Sequence, residues 1–390
     1  VLSVGVLPLL VLDFHVFQPL SIVLTFAFSV LFDVVLLPLL VLIFALSALT
    51  NISLNLNVAF VSLENLVKGV NQLISHPLTL GTPSVPVLLA MFAVTGLLID
   101  FYTHKTKTRA FACFLVLLAL FALAKFPLSP SITMVDIGQG DSFLLEDRLN
   151  AHTVLIDTGG KVSFGGKAAW QTAATSTNAE KTLIPYLQSR GISALDTVIL
   201  THSDADHCGD IIALASKITI REIWVSAGSL TVPDFVMKLK QTHSQIHVVK
   251  TGDTFPIFDT SLQVLSSGYT GRGDNNDSIV TYGDFYGTKW LFTGDLERLG
   301  EKELLANYPT LQVDVLKAGH HGSKTASDPS FIQQIHPKFA LISCGINNRY
   351  HHPNEETLAT FNTQKIPYIR TDQHGAVRFN GPSWQIETVK

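Results

Sequence analysis

The amino-acid sequence predicts an α/β domain preceded by transmembrane α-helices, on three observations. Residues 1–126 carry five Lys/Arg and four Asp/Glu, whereas residues 127–390 carry 22 and 27, so a membrane-like front is followed by a soluble domain. In the second part, apolar strand-like runs repeatedly end in turns rich in Gly, Asp and His. One such turn, after the run 196–200, places His202, Asp204, Asp206 and His207 within six positions. Imidazole and carboxylate ligands together suit Zn²⁺ or Mn²⁺ and leave coordination positions open to water and substrate.

The front part reads as a set of membrane helices occupying residues 1–126 of a 390-residue chain. Val rather than Met stands first, so the chain is expected to be a fragment of a longer one. Residues 21–47 are nearly all apolar, and about 20 such residues span a bilayer. Pro38 is expected to kink this span. Asp33, at its middle, reads either as a pore-lining or gating residue or as a protonated or paired structural acid. Residues 83–99 and 110–124 are two shorter candidate spans. Asp13, His15, Gln18 and Pro19 interrupt the apolar start, which suggests a helix facing protein and then a break. Neither a charged n-region nor a cleavage site makes a signal peptide there.

Between the spans, Leu63, Leu66, Val67, Val70, Leu73 and Ile74 recur at helical spacing opposite Glu64, Asn65, Lys68, Asn71 and Gln72. This predicts an amphipathic helix near 61–75, lying on the membrane surface, capping a channel, or packing against the soluble domain. The loop 103–109 holds three basic residues and no acid, so the positive-inside rule places it in the cytoplasm. One more crossing would bring residues 127–390 to the outer, periplasmic face of a bacterial cytoplasmic membrane.

The chemistry-bearing residues of the second part arrive at successive strand ends. The run 289–292 leads into Thr293-Gly-Asp295, and the run 313–317 leads through Lys317 to His320, His321 and Ser323. A third, 340–344, leads to His352, a candidate ligand or phosphate contact against the alternative of a structural turn. Upstream, the stretches 134–142 and 154–160 each run from a strand into a glycine-rich turn with an acid at the bend. Cys113, Cys208 and Cys344 show no C-x-x-C spacing and form no disulfide framework. Cys208 follows His207 and reads as a small packing residue.

His202, Asp204, Asp206 and His207 fit the pattern H-x-[HD]-x-D-H, which resembles the signature of the metallo-β-lactamase fold, an αββα sandwich. The fuller series D-I-G-Q-G-D-S, L-I-D-T-G-G, T-H-S-D-A-D-H, N-N-D-S, F-T-G-D, L-K-A-G-H-H-G-S and N-x-Y-x-H-P, behind hydrophobic helices, resembles the C-terminal part of the ComEC family of DNA-uptake competence proteins. The resemblance covers the chain from about residue 131 with specific motifs and residues 1–126 more loosely. It implies that Asp295 bridges two metals, that His202 and Asp204 serve one ion, and that Asp206, His207 and His320 serve the other. Asp157 is implied as a carboxylate that supports the metal loop through hydrogen bonds. His321, Lys317, Ser323 and His352 are implied as candidates to hold phosphate or protonate a leaving group. The fold's usual third His of the first site is missing from 274–278, so a single-metal or Mn²⁺-dependent centre is one expectation and a pair of ions another.

The function expected from this resemblance is a membrane-tethered, metal-dependent nuclease that degrades the non-transported strand during DNA uptake. Its partners would be DNA, single-stranded or incoming duplex, together with membrane lipid and other uptake components. A bound metal would activate water for attack on phosphorus. Two alternatives are a small-molecule hydrolase of the same fold and a non-catalytic domain that guides DNA. Charge does not select DNA: residues 127–390 have a formal balance of minus 5 and no basic stripe with interleaved aromatics. Arg272-Gly-Asp274 reads as a turn, and no nucleotide-binding loop is present.

Overall fold

The computed structural model describes residues 2–49, 57–73, 77–161 and 176–389. The chain divides into two compact units, Val1–Lys125 and Phe126–Lys390.

The first unit is helical. It comprises α1 (Leu2–Phe14), α2 (Leu20–Leu31), α3 (Leu37–Leu49), α4 (Asn57–Leu73), α5 (Val85–Thr103) and α6 (Lys107–Lys125). Two short strands, β1 (Val16–Phe17) and β2 (Leu78–Thr79), pair antiparallel. The segments Val23–Leu46, Val85–Thr103 and Lys107–Lys125 are long and apolar enough to cross a membrane, with mean hydropathies of 2.7, 2.0 and 1.9. Pro38 acts ahead of itself. It has no N–H and its ring crowds the carbonyl one turn back, and α2 and α3 are joined there by a π-helical turn, Phe32–Leu36, in which the Leu37 N–H reaches Phe32 O. Asp33 lies in that turn. The expected amphipathic helix is α4, and residues 74 and 75 of the expected range lie outside the described residues. The basic loop 103–109 is the short connection between α5 and α6.

The second unit is built on two sheets. One has eight strands in the order β17 (Gln385–Val389), β16 (Ala376–Asn380), β3 (Ser131–Met134), β4 (Phe143–Glu146), β5 (Thr153–Ile156), β6 (Ala194–Leu200), β7 (Thr219–Val225) and β8 (Gln245–Val248). The other has seven, in the order β15 (Tyr368–Arg370), β14 (Phe339–Ile342), β13 (Val315–Lys317), β12 (Thr288–Phe292), β11 (Val280–Phe285), β10 (Thr260–Ser266) and β9 (Thr254–Ile257). Strands β5 to β8 are parallel, as are β12 to β15, and the remaining pairs are antiparallel.

Strand periodicity sorts the side chains into layers, because neighbours along a strand face opposite sides. Ile199, Phe143 and Trp224 point inward and meet Val264, Trp290, Phe292, Val315 and Leu341 between the sheets. Their neighbours Leu144, Val198 and Leu200 point outward onto Leu183, Leu187, Ile211 and Phe235 of covering helices. On the far side Leu291, Leu316 and Ile342 pack on Leu304, Phe331 and Phe361. The result is helix, sheet, sheet, helix: an αββα sandwich whose parallel strands aim their C-terminal ends at one edge.

One buried acid fastens a covering helix to that edge. Glu301, in the helix Arg298–Asn307, accepts hydrogen bonds from the N–H groups of Ser327 (2.6 Å) and Asp328 (2.9 Å) in the loop after β13. Burial pushes its carboxyl up to about 7 despite these two bonds. A folded-state value above the unfolded one means that Glu301 adds stability fully below the unfolded pKa, about 4.5, and that this stability is lost as pH rises through 7. Glu301→Gln should therefore flatten the fall in unfolding free energy between pH 4.5 and 7, by up to about 3 kcal/mol across the window. Denaturant titrations of the chain in detergent micelles read this directly, and a pH slope equal to wild type would refute the assignment.

Candidate metal centre

The loop after β6 is shaped by a single carboxylate. Asp157, buried at the end of β5 with φ of 61°, accepts from the Thr201 N–H (2.8 Å), the Thr201 hydroxyl (2.7 Å) and His207 Nδ1–H (2.8 Å). With its proton given to Asp157, the Thr201 oxygen is left to accept from His202 Nδ1–H at 3.1 Å. Across the site, His321 Nδ1–H donates to Ser343 O at 3.0 Å. A neutral imidazole that donates through Nδ1 keeps a bare lone pair on Nε2, the form that binds a metal. Consistent with this, Nε2 of His202, His207 and His321 are all buried without a hydrogen-bond partner.

Asp295 stands at the focus of these nitrogens. Its Oδ2 lies 3.1 Å from His207 Nε2 and 3.3 Å from His321 Nε2, and Asp206 Oδ2 lies 3.4 Å from His321 Nε2. Ligand atoms within 4.8 Å of one another form the sets His202, His207, Asp295 and Asp206, His207, His321. Orphaned imidazole nitrogens converging on carboxylates are a donor set that fits a divalent cation. Burial opposes charge on His207 and His321, yet Asp295, aided by Asp157 at the first and Asp141 at the second, holds both imidazoles well above their ordinary value. Burial likewise opposes charge on Asp206 and Asp295, and the facing imidazoles overcome it, holding both carboxyls well below the usual range.

The other residues singled out in the sequence take distinct places. Asp204 is 56% exposed, with Oδ2 at 3.7 Å from His202 Nε2. His320 and His321 both have positive φ, 47° and 54°, and their rings diverge, with centroids 6.0 Å apart. His320 turns Nδ1 toward Glu297 Oε1 (3.1 Å) and Thr325 Oγ1 (3.2 Å), and its Nε2 lies 3.7 Å from Asp295. Lys317 is fully buried: its ammonium donates to Gly294 O at 2.6 Å, pairs with Asp141, and lies 3.4 Å from Asp295 Oδ1. His352 stacks on Tyr350 at 5.8 Å, and burial with the charges of His321 and His320 pushes it down to about 4. Ser323 is buried and bonds Thr325 Oγ1 at 3.0 Å. Cys208 is buried against Ser203 O.

Two residues had no role assigned from the sequence. Asp141, the acid of Gly-Gln-Gly-Asp, is the partner of Lys317 and lies 3.2 Å from His321 Nδ1. Its signal was the glycine-rich bend, shared with many ordinary turns. Asp277 is buried in the stretch that lacks a His and accepts four backbone N–H groups, from Thr270, Gly271, Arg272 and Gly273, at 2.5 to 2.8 Å. It closes the turn at 272–274, while the adjacent Ser278 hydroxyl receives the Asp295 N–H at 3.0 Å. The site opens into a cavity of 290 Å³ lined by Asp204, Asp206, Asp295, His320, His321 and His352, with Gln139 and Tyr350 at its rim.

Comparison with known proteins places this geometry among relatives. Residues 135–346 match the model of the metallo-beta-lactamase superfamily. The chain is 33% identical over 394 residues to ComE operon protein 3 of Bacillus subtilis (strain 168), which covers 97% of this chain and 50% of that protein. It is 32% identical over 250 residues to competence protein ComA of Neisseria gonorrhoeae, covering 64% of this chain and 32% of that one. The chain thus spans half, or less, of the length of these relatives. Among solved structures, the metallo-beta-lactamase fold protein YhfI from Bacillus subtilis aligns with 13% identity and a TM-score of 0.42, over 65% of this chain and 100% of that one.

Because His321 presents a buried Nε2 to Asp206 and Asp295 at 3.4 and 3.3 Å whereas the His320 Nε2 is partly exposed and lies 3.7 Å from Asp295, the two histidines should separate in metal analysis. His321→Ala is expected to weaken Zn²⁺ or Mn²⁺ retention at least about tenfold, with His320→Ala close to wild type. Elemental analysis after dialysis against a graded chelator makes the comparison, and the reverse ranking would place His320 on the ion.

Proposed function

We propose one activity for this chain, which belongs to the metallo-beta-lactamase superfamily and to the ComEC family of competence proteins: metal-dependent hydrolysis of DNA phosphodiesters, degrading the strand that is not transported during uptake. The observation that carries this reading is the convergence of three bare imidazole nitrogens with Asp206 and Asp295 at the floor of an open cavity. Asp206, His207, Asp295 and His321 would hold one ion, and His202 and Asp204 with Asp295 a second. Zn²⁺ or Mn²⁺ bound there supplies a Lewis acid for a phosphoryl oxygen and acidifies a coordinated water.

The chain's own groups do the rest. Asp157 fixes the Nε2-bare tautomer of His207, and Ser343 O does the same for His321. Lys317 neutralises Asp141 and part of the Asp295 charge without reaching the cavity wall. His352, pushed down to about 4, is uncharged at neutral pH and offers substrate hydrogen bonds rather than a positive charge. The three apolar helices would tether the domain to the cytoplasmic membrane, with DNA, lipid and other uptake proteins as partners.

The basic loop between α5 and α6 supports an outward-facing domain. A phosphatase reporter fused after Lys390 should be active, and activity only from a cytoplasmic reporter would reverse the orientation. For the chemistry, Asp295→Asn is nearly isosteric and weakens the charge that would hold metal. Its nuclease rate should fall about a hundredfold or more, the scale on which losing one electrostatic stabiliser acts, with an unchanged circular dichroism spectrum. A wild-type rate in Asp295→Asn would sink the assignment.

A further inference from the structure

The metal cavity continues beyond Tyr350. A second cleft, of 320 Å³, shares Gln139, Asp206 and Tyr350 with the first and runs on to Lys161, Asn178 and Arg349. The two differ in charge. The first is lined by Asp204, Asp206 and Asp295, whereas the second shares Asp206 and adds a lysine and an arginine.

Three features suit the shared boundary to a polynucleotide. Gln139 accepts the Gly345 N–H through Oε1 at 3.3 Å, which fixes the amide and leaves Nε2 shielded and without an acceptor at the junction of the two clefts. A buried donor with no protein partner is met by water or by a ligand acceptor. Next, the Arg349 guanidinium lies 5.1 Å from the centre of the Tyr350 ring, which itself stacks on His352, giving a column of planar groups. Tyr350 is 39% exposed, so the column lies at the surface of the cleft. Finally, the loop presenting it is pinned: Asn348 Nδ2 donates to Gly345 O (2.9 Å) and His352 O (2.6 Å), and Asn348 Oδ1 accepts the His352 N–H (2.9 Å).

We propose that this cleft is the subsite for the nucleotide adjoining the scissile bond. The base packs against the Tyr350–Arg349 column, Gln139 Nε2 donates to a sugar or phosphate oxygen, and the next backbone phosphate meets Arg349 and Lys161. Unpaired bases can stack on such a column and paired ones cannot, so the ligand class is a single strand with at least two phosphates. The proposal rests on the phosphodiesterase reading for the identity of the neighbouring site, and binding tests it separately from catalysis.

The experiment uses the full chain in detergent micelles and two probes that resist hydrolysis, a fluorescent phosphorothioate hexathymidylate and the corresponding dithymidylate with one internal phosphorothioate. Arg349→Gln should bind the hexamer about tenfold more weakly at low salt and lower the slope of affinity against salt by about one. Arg349→Lys should recover part of the affinity, and the dimer, which keeps only the stacking contact, should lose clearly less than the hexamer. Equal hexamer affinity in a folded Arg349→Gln, or an equal loss for dimer and hexamer, would overturn the subsite. Hydrolysis of bis(4-nitrophenyl) phosphate by the wild-type chain is read alongside: its failure with hexamer binding intact counts against the phosphodiesterase reading alone.

Discussion

Four carboxylates, those of Asp141, Asp157, Asp206 and Asp295, meet a single ammonium, that of Lys317, where the two sheets share an edge. Four negative groups against one positive leave a balance of minus three. Leaving buried charge uncompensated costs roughly several kcal/mol per ion. The surrounding imidazoles supply one remedy, since His207 and His321 are held well above their ordinary value by these same carboxylates. A divalent cation supplies the other, using the same Nε2 lone pairs, so protons and metal compete for one set of nitrogens. The hydrogen bonds of Asp157, Ser278 and Ser343 make sense within this constraint. Each fixes a ligand by a bond on the side facing away from the cluster.

The sandwich meets the constraint by drawing the cluster from both sheets. Asp157 and the His202–His207 loop follow β5 and β6, while Asp295 and His321 follow β12 and β13. Strand register therefore sets ligand geometry. Along β13, Val315 faces the inter-sheet core and Leu316 the outer helices, so Lys317 returns to the inner side, at the point where Asp141 and Asp295 approach. Slipping this strand by one residue would point the ammonium into the outer apolar layer. The packing of Trp290, Phe292, Phe143 and Leu341 between the sheets holds that register and with it the site.

The sequence made the local parts of this arrangement legible. His202 to His207 lie in one turn, and apolar runs precede Asp295 and His320, so strand ends carrying ligand-type side chains are legible from spacing, while the αββα sandwich came from the family resemblance those motifs carry. What spacing could not decide was the direction of side chains within irregular backbone. His320 and His321 are consecutive residues with positive φ, and only the backbone path sets the buried His321 Nε2 3.3 Å from Asp295 and the partly exposed His320 Nε2 3.7 Å away, with its Nδ1 on Glu297. Lys317 was legible as part of the site but not as a buried counter-charge, because its partner Asp141 is 176 positions away in sequence. Asp277 was hidden for a different reason: its partners are backbone N–H groups, which carry no sequence signal. In the membrane part, Pro38 marked an irregularity, yet the π turn lies before it because the ring obstructs the preceding turn.

Net charge is a poor guide to what such a domain binds. A formal balance of minus 5 over residues 127–390 argues against a polyanion if the charge is taken as spread over the surface. Three of those acids, Asp204, Asp206 and Asp295, instead line one cavity, where they would attract a cation rather than meet substrate directly. A polyanion approaching the loaded centre would meet metal charge first, and Arg349 and Lys161 lie in the adjoining cleft rather than in the centre itself. On the proposed reading, the acids that repel DNA as a sum would become, through the ions they would hold, the groups that localise a phosphate. Local sign along one cleft, and not the total over the domain, decides which ligand the site admits.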